Sequence, residues 1–368
     1  MLPRQKGFMN WREKEERATI PLECLTRKAK LMKASSLVTQ GLKAMSFSLL
    51  LIFMGPLVGY SQEPVVAVYG GISGQQAPLW LTSDLGLFTK YGLDVQPIFV
   101  RGGAIWTAGI SAGEIQFGVD SSVSPITAAA SGADIVLVGS YYNKHPWSFA
   151  VRPGIKSPQE LPGKKVGVLS LGASNHMAVV TALRYWGIEE KSVTIVRAGS
   201  TSARLLALRS GQIDATVLVS PETERARKIG IPILLELAQI GESFPTVSVI
   251  TTRRFLASKT TVAKKFLQAL NEGVYVFTKD RQKALKTLAK WMRTEDREVL
   301  EDAYTSHVRN MNFPTVIDKS GVQAVLDFLS RSRPELKAKN ASEFIDDTIF
   351  RELEQEGFFN RVRGEALR

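Results

Sequence analysis

Apolar and polar positions alternate along the chain in a repeated order of short strands and longer helices. The first short apolar runs that end in Gly or polar residues predict strands at 65–71, 93–100, 115–119 and 134–140. Segments with apolar residues at helical spacing separate these runs, at 78–87, at 104–111 and from 123 onward. Strands that alternate with helices indicate parallel strands joined by crossovers, so the pattern predicts the α/β class.

The same order of elements restarts near residue 162. Strands are predicted at 163–170, 192–199, 213–220 and 232–237, and helices at 173–187, 202–211 and 221–230. Two motifs recur in the same order: "FVRGG" (99–103) matches "IVRAG" (195–199), and "SAGEIQFGVDSS" (111–122) matches "RSGQIDATVLVS" (209–220). The recurrence predicts two similar wound lobes, in which the matching motifs mark the second and the third strand.

Helical patterns dominate the chain after a predicted return strand at 247–254. Apolar residues at i, i+3 and i+4 predict helices at 261–280, 281–292, 294–308, 319–330 and 342–354. We expect these helices to pack on a lobe and to take no part in chemistry.

Candidate ligand-binding residues follow the predicted strands. In open α/β sheets the ligand crevice lies beyond the carboxyl ends of the strands, where helix N-termini present unpaired N–H groups. The candidates are Ser73, Gly74, Gln75, Gln76, Asp120, Ser121 and Tyr141 in the first lobe, and Gly172, Ala173, Ser174, Asn175, Ser220 and Glu222 in the second. Each could equally be an ordinary helix cap. Their convergence on one cleft would favour an anionic group such as a carboxylate, sulfonate or phosphate.

The side chains around this cleft leave the ligand's chemistry open. Arg101 and Arg197 follow the two matching second strands and could face an anion, or could hold helix ends from outside. Tyr141, Tyr142 and Trp147 would suit an aromatic or heterocyclic ligand.

Charge and motif content argue against several functional classes. The formal net charge is +12, but residues 1–61 carry half of it, and no basic run is interleaved with aromatic residues, so we expect no nucleic-acid partner. Cys24 is the one cysteine, which excludes an intramolecular disulfide. No Ser-His-Asp order, HExxH box or phosphate loop is present, so we expect no catalytic residues, metal or cofactor. His176 could line the cleft, although a packing role is the commoner fate of such a histidine.

An apolar segment at 45–60, "MSFSLLLIFMGPLVGY", follows a basic stretch. This layout predicts a signal peptide over 45–61 that is cleaved near Ser61, and hence a periplasmic or secreted protein. A membrane anchor is the alternative, which the short run and the internal Gly55-Pro56 disfavour. Residues 1–44 are predicted to be an extension, with Met32 or Met45 as possible true starts.

Several longer stretches carry a family resemblance: "APLWLTSDLGLFTKYGLDVQPIFV" (77–100), "GEIQFGVDSS" (113–122), "IKSPQELPGKKVGVLSLGAS" (155–174) and "SGQIDATVLVSP" (210–221). The sequence resembles the NMT1/THI5-like group, the solute-binding proteins of ABC importers for nitrate, sulfonates, taurine and thiamin precursors. The resemblance implies a type II periplasmic-binding fold whose two lobes, 64–150 plus 245–360 and 151–244, close on a small molecule. The crossovers would lie near 147–151 and 244–250.

The resemblance also implies the partners: an ABC-transporter permease and its ATPase, served by a monomer. The expected function is therefore capture of a small, anionic organic solute, such as a sulfonate, a carboxylate or a thiamin-precursor-like compound, and its delivery to the importer without catalysis. One alternative is an enzyme on the same scaffold that acts on a pyrimidine-type precursor, as in fungal thiamin synthesis. However, that enzyme needs a histidine and a cysteine cluster that this sequence lacks. Another alternative is a ligand sensor tethered to the membrane through residues 45–60.

Overall fold

Two five-stranded sheets organise residues 62–365, the part of the chain described by the computed structural model. The predicted extension and signal peptide lie outside these residues. Strand order is β2-β1-β3-β10-β4 in the first sheet and β7-β6-β8-β5-β9 in the second. The strands are β1 Glu63–Tyr69, β2 Leu93–Phe99, β3 Phe117–Asp120, β4 Val136–Lys144, β5 Ser148–Val151, β6 Lys165–Val168, β7 Thr194–Arg197, β8 Ala215–Leu218, β9 Ile233–Glu236 and β10 Ser243–Thr251.

Helices connect the strands and form a long C-terminal layer. Those between strands are α1 Ala77–Asp84, α2 Leu87–Lys90, α3 Gly103–Ala112, α4 Val123–Ala130, α5 Ser174–Tyr185, α6 Thr201–Arg209 and α7 Glu222–Lys228. After β10 come α8 Arg253–Ser258, α9 Thr260–Lys279, α10 Arg281–Met292, α11 Arg297–Val308, α12 Lys319–Ser330, α13 Thr348–Gln355 and α14 Phe358–Glu365. No helix of this described region has the length and apolarity that a membrane span requires.

The two sheets share one topology, which confirms the prediction of two similar wound lobes. In the first, β1 pairs in parallel with β2 and β3, and β10 lies antiparallel between β3 and β4. In the second, β6 pairs in parallel with β7 and β8, and β5 lies antiparallel between β8 and β9. The matching motifs thus end in β3 and β8, the third strand of each lobe.

The chain crosses between the sheets twice, earlier than the sequence indicated. It leaves the first sheet after Lys144, enters the second at Ser148, and returns between Glu236 and Ser243. The segments expected as crossovers, 147–151 and 244–250, largely form β5 and β10. Each is an apolar run buried on both faces, so it is stable as an inner strand and not as a linker.

Three rings pack together at the crossings. His145 stacks on Phe244 with a centroid distance of 4.5 Å, and Trp147 meets Phe244 edge-on at 5.2 Å. His145 is fully buried, and neither of its ring nitrogens has a hydrogen-bond partner within residues 62–365. Any movement of one lobe against the other must occur around this aromatic cluster.

The first sheet is covered on both faces, and one of its cores continues into the second lobe. On one face, α1, α2 and α9 pack through side chains such as Trp80 and Phe266, and Phe266 stacks on Phe117 at 4.0 Å. On the other face, α3, α4 and α12 join a core that also contains Phe149 of β5 and Val179 of α5. A smaller cluster lies between the second sheet and α6 and α7.

Four of the five predicted C-terminal helices form close to their predicted bounds, whereas α8 and α14 were not predicted and the return strand predicted at 247–254 is β10, which ends at Thr251. The helix predicted at 342–354 is a 3₁₀ turn at Ala341–Phe344, followed by α13 from Thr348. Between them Ile345 is extended and forms a bridge with Leu137 of β4. This backbone pairing to the first sheet outweighs the local helical periodicity.

Candidate functional site

Asp120 ends β3 and binds the backbone at the tips of two neighbouring strands. Its Oδ1 accepts the Ser121 N–H at 2.6 Å, and its Oδ2 accepts the Gly70 N–H, which follows β1. A Cβ at position 70 would lie only 2.6 Å from Oδ2, so glycine is needed there. Two donors that an anionic ligand would use are therefore already satisfied by the chain's own carboxylate.

Burial raises the pKa of Asp120 to about 6, although its backbone hydrogen bonds from Ser121 and Gly70 favour the charged form. The Gln76 side chain lies close to Asp120 without a full hydrogen bond. Asp120 is only 9% exposed, so around neutral pH it places a negative charge in a largely dry site. Such a charge favours a ligand group that donates hydrogen bonds or carries positive charge.

The segment Ser73–Gln76 after β1 is fixed from two sides. Gly74 lies against the Ala303 carbonyl of α11, so closely that a Cβ would overlap it. Tyr141 donates its hydroxyl to the Gln75 carbonyl at 3.1 Å, and Ser73 and Gln76 are buried. This strand tip is consequently a rigid wall of the site.

Tyr141 lies inside β4, whereas the sequence placed it after the strand. β4 continues to Lys144, so Tyr141, Tyr142 and Asn143 are all buried strand residues. Burial, followed by the charge of Asp120, holds the pKa of Tyr141 well above its usual value. Tyr142 instead faces His307 of α11. Of the two tyrosines, Tyr141 is the one whose pKa the charge of Asp120 affects.

In the second lobe, the loop 169–173 leads into α5. Gly172 has a φ of +76°, a left-handed conformation that favours glycine. Ser174 begins α5, and the N–H groups of its first turn have no intrahelical acceptors. Asn175, by contrast, is buried and accepts the Leu169 N–H at 3.1 Å, so it stabilises the loop.

His176 has the packing role that the sequence left as an alternative. Its Nδ1 accepts the Gly172 N–H at 2.9 Å, so its Nε2 donates to Glu190 at 3.2 Å. The ring also packs edge-on against Phe328 of α12. These contacts turn the imidazole away from the strand tips.

Helix α11 reaches from the first lobe to the tip of β8 in the second. Ser220 donates its hydroxyl to the Asp302 carboxylate, and Lys228 pairs with Glu298. Glu222 is buried and accepts from Ser202 at 2.6 Å and from Arg225 at 3.2 Å, so its carboxylate is satisfied within the second lobe. Thus Ser220 bridges the lobes and Glu222 does not.

A cavity of about 670 Å³ lies between the lobes, and we call it the inter-lobe cavity. The first lobe contributes its walls through α3 and α4, and the second through residues 169–173. Ser124 of α4 lines it, whereas Asp120 and the candidate residues around Asp120 do not. Its lining residues are Gly102, Gly103, Ala104, Ile105, Thr107, Ala108, Ser111, Ser124, Thr127, Ala128, Ser131, Leu169, Ser170, Leu171, Gly172 and Ala173.

The candidate residues thus divide into three groups. Around Asp120 the structure brings together Ser73, Gly74, Gln75, Gln76, Ser121 and Tyr141. Gly172 and Ala173 line the inter-lobe cavity, with Ser174 next in the chain. Asn175 and Glu222 make local contacts, and Ser220 contacts the first lobe. Ligand contact by these residues stays a prediction.

Three residues that lie beside the strand tips were not among the candidates chosen from the sequence. Asp302 and His307 lie on α11, a helix predicted to take no part in the site, and Trp106 of α3 places its Nε1 beside Gly70. The helices were visible in the apolar pattern, but nothing local indicated which loop each would pack against.

Positive charge is sparse at the strand tips. Arg101 is exposed with its guanidinium 6.0 Å from the Phe99 ring, and Arg197 is exposed on the edge strand β7. Arg204 is buried, but it donates to the carbonyls of Gly199 and Val217. Within residues 62–365 no group of three His, Cys, Asp or Glu side chains could hold a metal ion.

Comparisons with known proteins agree with this architecture. The sequence model of the family described as "NMT1/THI5 like" matches residues 73–284, more than half of the chain. A Brucella abortus protein whose name describes it as a binding protein is 24% identical over 227 residues, which cover 61% of this chain and 70% of that protein.

Solved structures show the same fold. The alkanesulfonate-binding protein SsuA from Xanthomonas axonopodis pv. citri, bound to MOPS, superposes with a TM-score of 0.63 at 18% identity, covering 74% of this chain and 94% of that one. The periplasmic nitrate-binding protein NrtA from Synechocystis PCC 6803 gives a TM-score of 0.61 at 14% identity, covering 80% of this chain and 88% of that one. With its matching family model over more than half of its length, the chain belongs to the NMT1/THI5-like family.

Proposed function

We propose that the protein captures a small organic solute between its two lobes and delivers it to an ABC importer. The observation that carries the proposal is the inter-lobe cavity, whose walls come from both lobes. A ligand that contacts both lobes stabilises the closed state, so binding shifts the population toward closure. Relatives and structural neighbours that are named as binding proteins support the same function.

The solute is proposed to carry an anionic group, such as a sulfonate or carboxylate, that meets the first turn of α5. The N–H groups there lack intrahelical acceptors and follow the cavity-lining residues Gly172 and Ala173. The first lobe suits a different group, because Asp120 already accepts the Gly70 and Ser121 N–H groups. A hydrogen-bond donor on the solute, like the amino group of a thiamin-precursor-like pyrimidine, would fit beside Asp120.

We further propose that the protein is a periplasmic or secreted monomer. It would deliver its solute to a permease and the associated ATPase. The solved relatives include periplasmic binding proteins, which supports this location. N-terminal sequencing of the exported protein tests it: an N-terminus near Gln62 is expected, whereas an intact segment 45–60 would support a tethered sensor.

A thermal-shift screen of sulfonates, carboxylates, nitrate and pyrimidines tests the capture function. A true ligand at one hundred times its Kd stabilises the fold by about 2.7 kcal/mol. Mass spectrometry of the bound compound after incubation separates binding from catalysis: unchanged compound is expected, and a converted one would establish the enzyme alternative. No stabilisation by any member of the panel would contradict the proposed solute chemistry.

A further inference from the structure

The inter-lobe cavity is larger and less polar than a site for a polar head group requires. Its volume of about 670 Å³ lies in the range of pockets that enclose a whole drug-sized ligand. None of the residues that line it is charged. A charged group placed deep in such a space would lose its hydration without gaining a partner.

Several hydroxyl groups in the lining are already used. The hydroxyls of Ser111, Thr127 and Ser131 donate to backbone carbonyls one turn earlier in or beside their own helices, at 3.1, 2.7 and 2.9 Å. These side chains therefore have no hydrogen left to donate, and the Ser131 oxygen in addition accepts a hydrogen bond from Arg333 at 3.0 Å.

Two large apolar side chains rise from opposite lobes at the cavity. Ile105 of α3 is 66% exposed and Leu171 of the second lobe is 57% exposed. Exposed aliphatic side chains that line one cavity from two sides are typical of a surface that an apolar ligand covers.

Thr107 adds to the low polarity of the cavity wall. It lines the cavity but is only 3% exposed, and its Oγ1 atom is covered. Thr107 therefore presents no accessible hydrogen-bond donor to a ligand.

We propose that the inter-lobe cavity binds an uncharged alkyl or aryl part of the captured solute. The inference rests on the proposed function, because the tail belongs to the same solute whose polar group is bound at the strand tips. The substrate class is then amphiphilic: a polar head group joined to an apolar tail. Closure presses Ile105 and Leu171 onto the tail, so the tail contributes to the stability of the closed state.

The neutral fluorescent probe N-phenyl-1-naphthylamine tests the cavity without any head group. We expect it to bind the wild-type protein with enhanced fluorescence. The Ala108→Phe variant, which fills the cavity from α3, should weaken binding at least tenfold. Ala112→Phe is the matched control, because Ala112 is an exposed alanine one turn later on α3 that does not line the cavity. Equal binding by all three proteins, or none by the wild type, would overturn the tail site.

Two homologous series, the n-alkanesulfonates and the n-alkyltrimethylammonium ions from methyl to octyl, test the link to the head group by calorimetry. In the series that binds, affinity should rise about twofold to fourfold per methylene, the upper value corresponding to full burial. Ala108→Phe should flatten this rise and leave the methyl member unaffected. Equal affinity for methyl and hexyl members would refute the tail site while supporting capture. If the fluorescent probe binds but no member of either series does, the proposed solute chemistry would be contradicted and the tail site would stand.

Discussion

At the scale of single residues, Asp120 decides the chemistry of the first lobe. A glycine at position 70 lets the carboxylate reach the tip of the neighbouring strand, and the resulting hydrogen bonds remove two backbone donors from any anion. The strand tips of the first lobe therefore favour a hydrogen-bond donor or a positive charge on the ligand, and not the anion that free backbone N–H groups would favour. The first lobe is suited to a donor group on the ligand.

Affinity should depend on the protonation of Asp120. If the ligand donates to the carboxylate, binding requires the charged form, so affinity rises as the pH rises through the pKa of about 6. We expect Kd to fall about tenfold from pH 5 to pH 7, since a group with this pKa is mostly protonated at the lower value and mostly charged at the higher. Calorimetry at both pH values measures it. Asp120→Asn should abolish the dependence, and an affinity that falls with pH would mean that an anionic group lies beside Asp120.

Ser174 offers the cleanest test of the α5 terminus. A Ser174→Trp side chain would project from the first turn of the helix beside the cavity-lining Ala173, so we expect binding to weaken more than tenfold at unchanged thermal stability. Ser210→Trp, at an exposed helix end of the same lobe, is the control. Asn175 is unsuitable, because its carboxamide holds the Leu169 N–H. Unchanged affinity in Ser174→Trp would move the site away from α5.

Sequence patterns indicate which residues follow strands but not what each side chain contacts. Of the candidates chosen in this way, Gly172 and Ala173 line the inter-lobe cavity, and those of the first lobe lie together around Asp120. Ligand contact by any of them stays a prediction. The sequence could not show that Asn175 and Glu222 form hydrogen bonds within their own lobe, because their partners are set by how the loops pack. Trp106 and Asp302 escaped notice because each acts on a strand tip far away in sequence.

At the scale of elements, α11 connects the two lobes. It holds the 3₁₀ turn at Gly74 through the Ala303 carbonyl and presents Asp302, the preceding residue, to Ser220 of the second lobe. One helix therefore contacts a strand tip of each lobe. Its existence followed from apolar periodicity, whereas its position is a tertiary feature with no local signal.

The contact between Asp302 and Ser220 should favour the closed state. Asp302→Ala removes a hydrogen bond to a charged group, of a kind worth about 1.5 to 3 kcal/mol, so we expect ligand affinity to fall about tenfold or more. Glu298→Ala removes only the exposed pair with Lys228 and should change affinity less than about fivefold. Calorimetry on both variants measures the difference. Equal losses of affinity in the two variants would mean that the Asp302–Ser220 hydrogen bond stabilises the closed state no more than the exposed Lys228–Glu298 pair does.

At the scale of the whole molecule, two lobes of one topology are joined where the chain crosses twice. The repeat in the sequence predicted both lobes, because each strand-helix corner carries its own local signature. The crossings were misplaced because β5 and β10 are apolar strands like any other, and only pairing shows that they change sheets. His145 lies at this junction, with Trp147 and Phe244.

Acid should destabilise the junction. Burial, with a smaller contribution from Arg184, lowers the pKa of His145 to about 3, so the native state binds fewer protons than the unfolded state between pH 6.5 and pH 3. Stability is lost as the pH falls through this window, by about 2 kcal/mol between pH 7 and pH 5. His145→Leu should remove that loss in chemical denaturation. The raised pKa of Asp120 has the opposite effect, because it increases stability as the pH falls. Comparing the variant with the wild type removes this contribution, since Asp120 is present in both proteins. Parallel pH profiles for the two proteins would contradict this role.

The double crossing also sets an order in which the molecule can be assembled. All strands of the second sheet lie within residues 148–236, so that lobe is complete in a single stretch of chain. The first sheet needs β10, which fits between β3 and β4 and is synthesised only after the entire second lobe. Until residue 251 is available, β3 and β4 have a gap between them and a large apolar surface stays uncovered. A chain emerging from a ribosome or a translocation channel would thus finish its inserted half first and its enclosing half last.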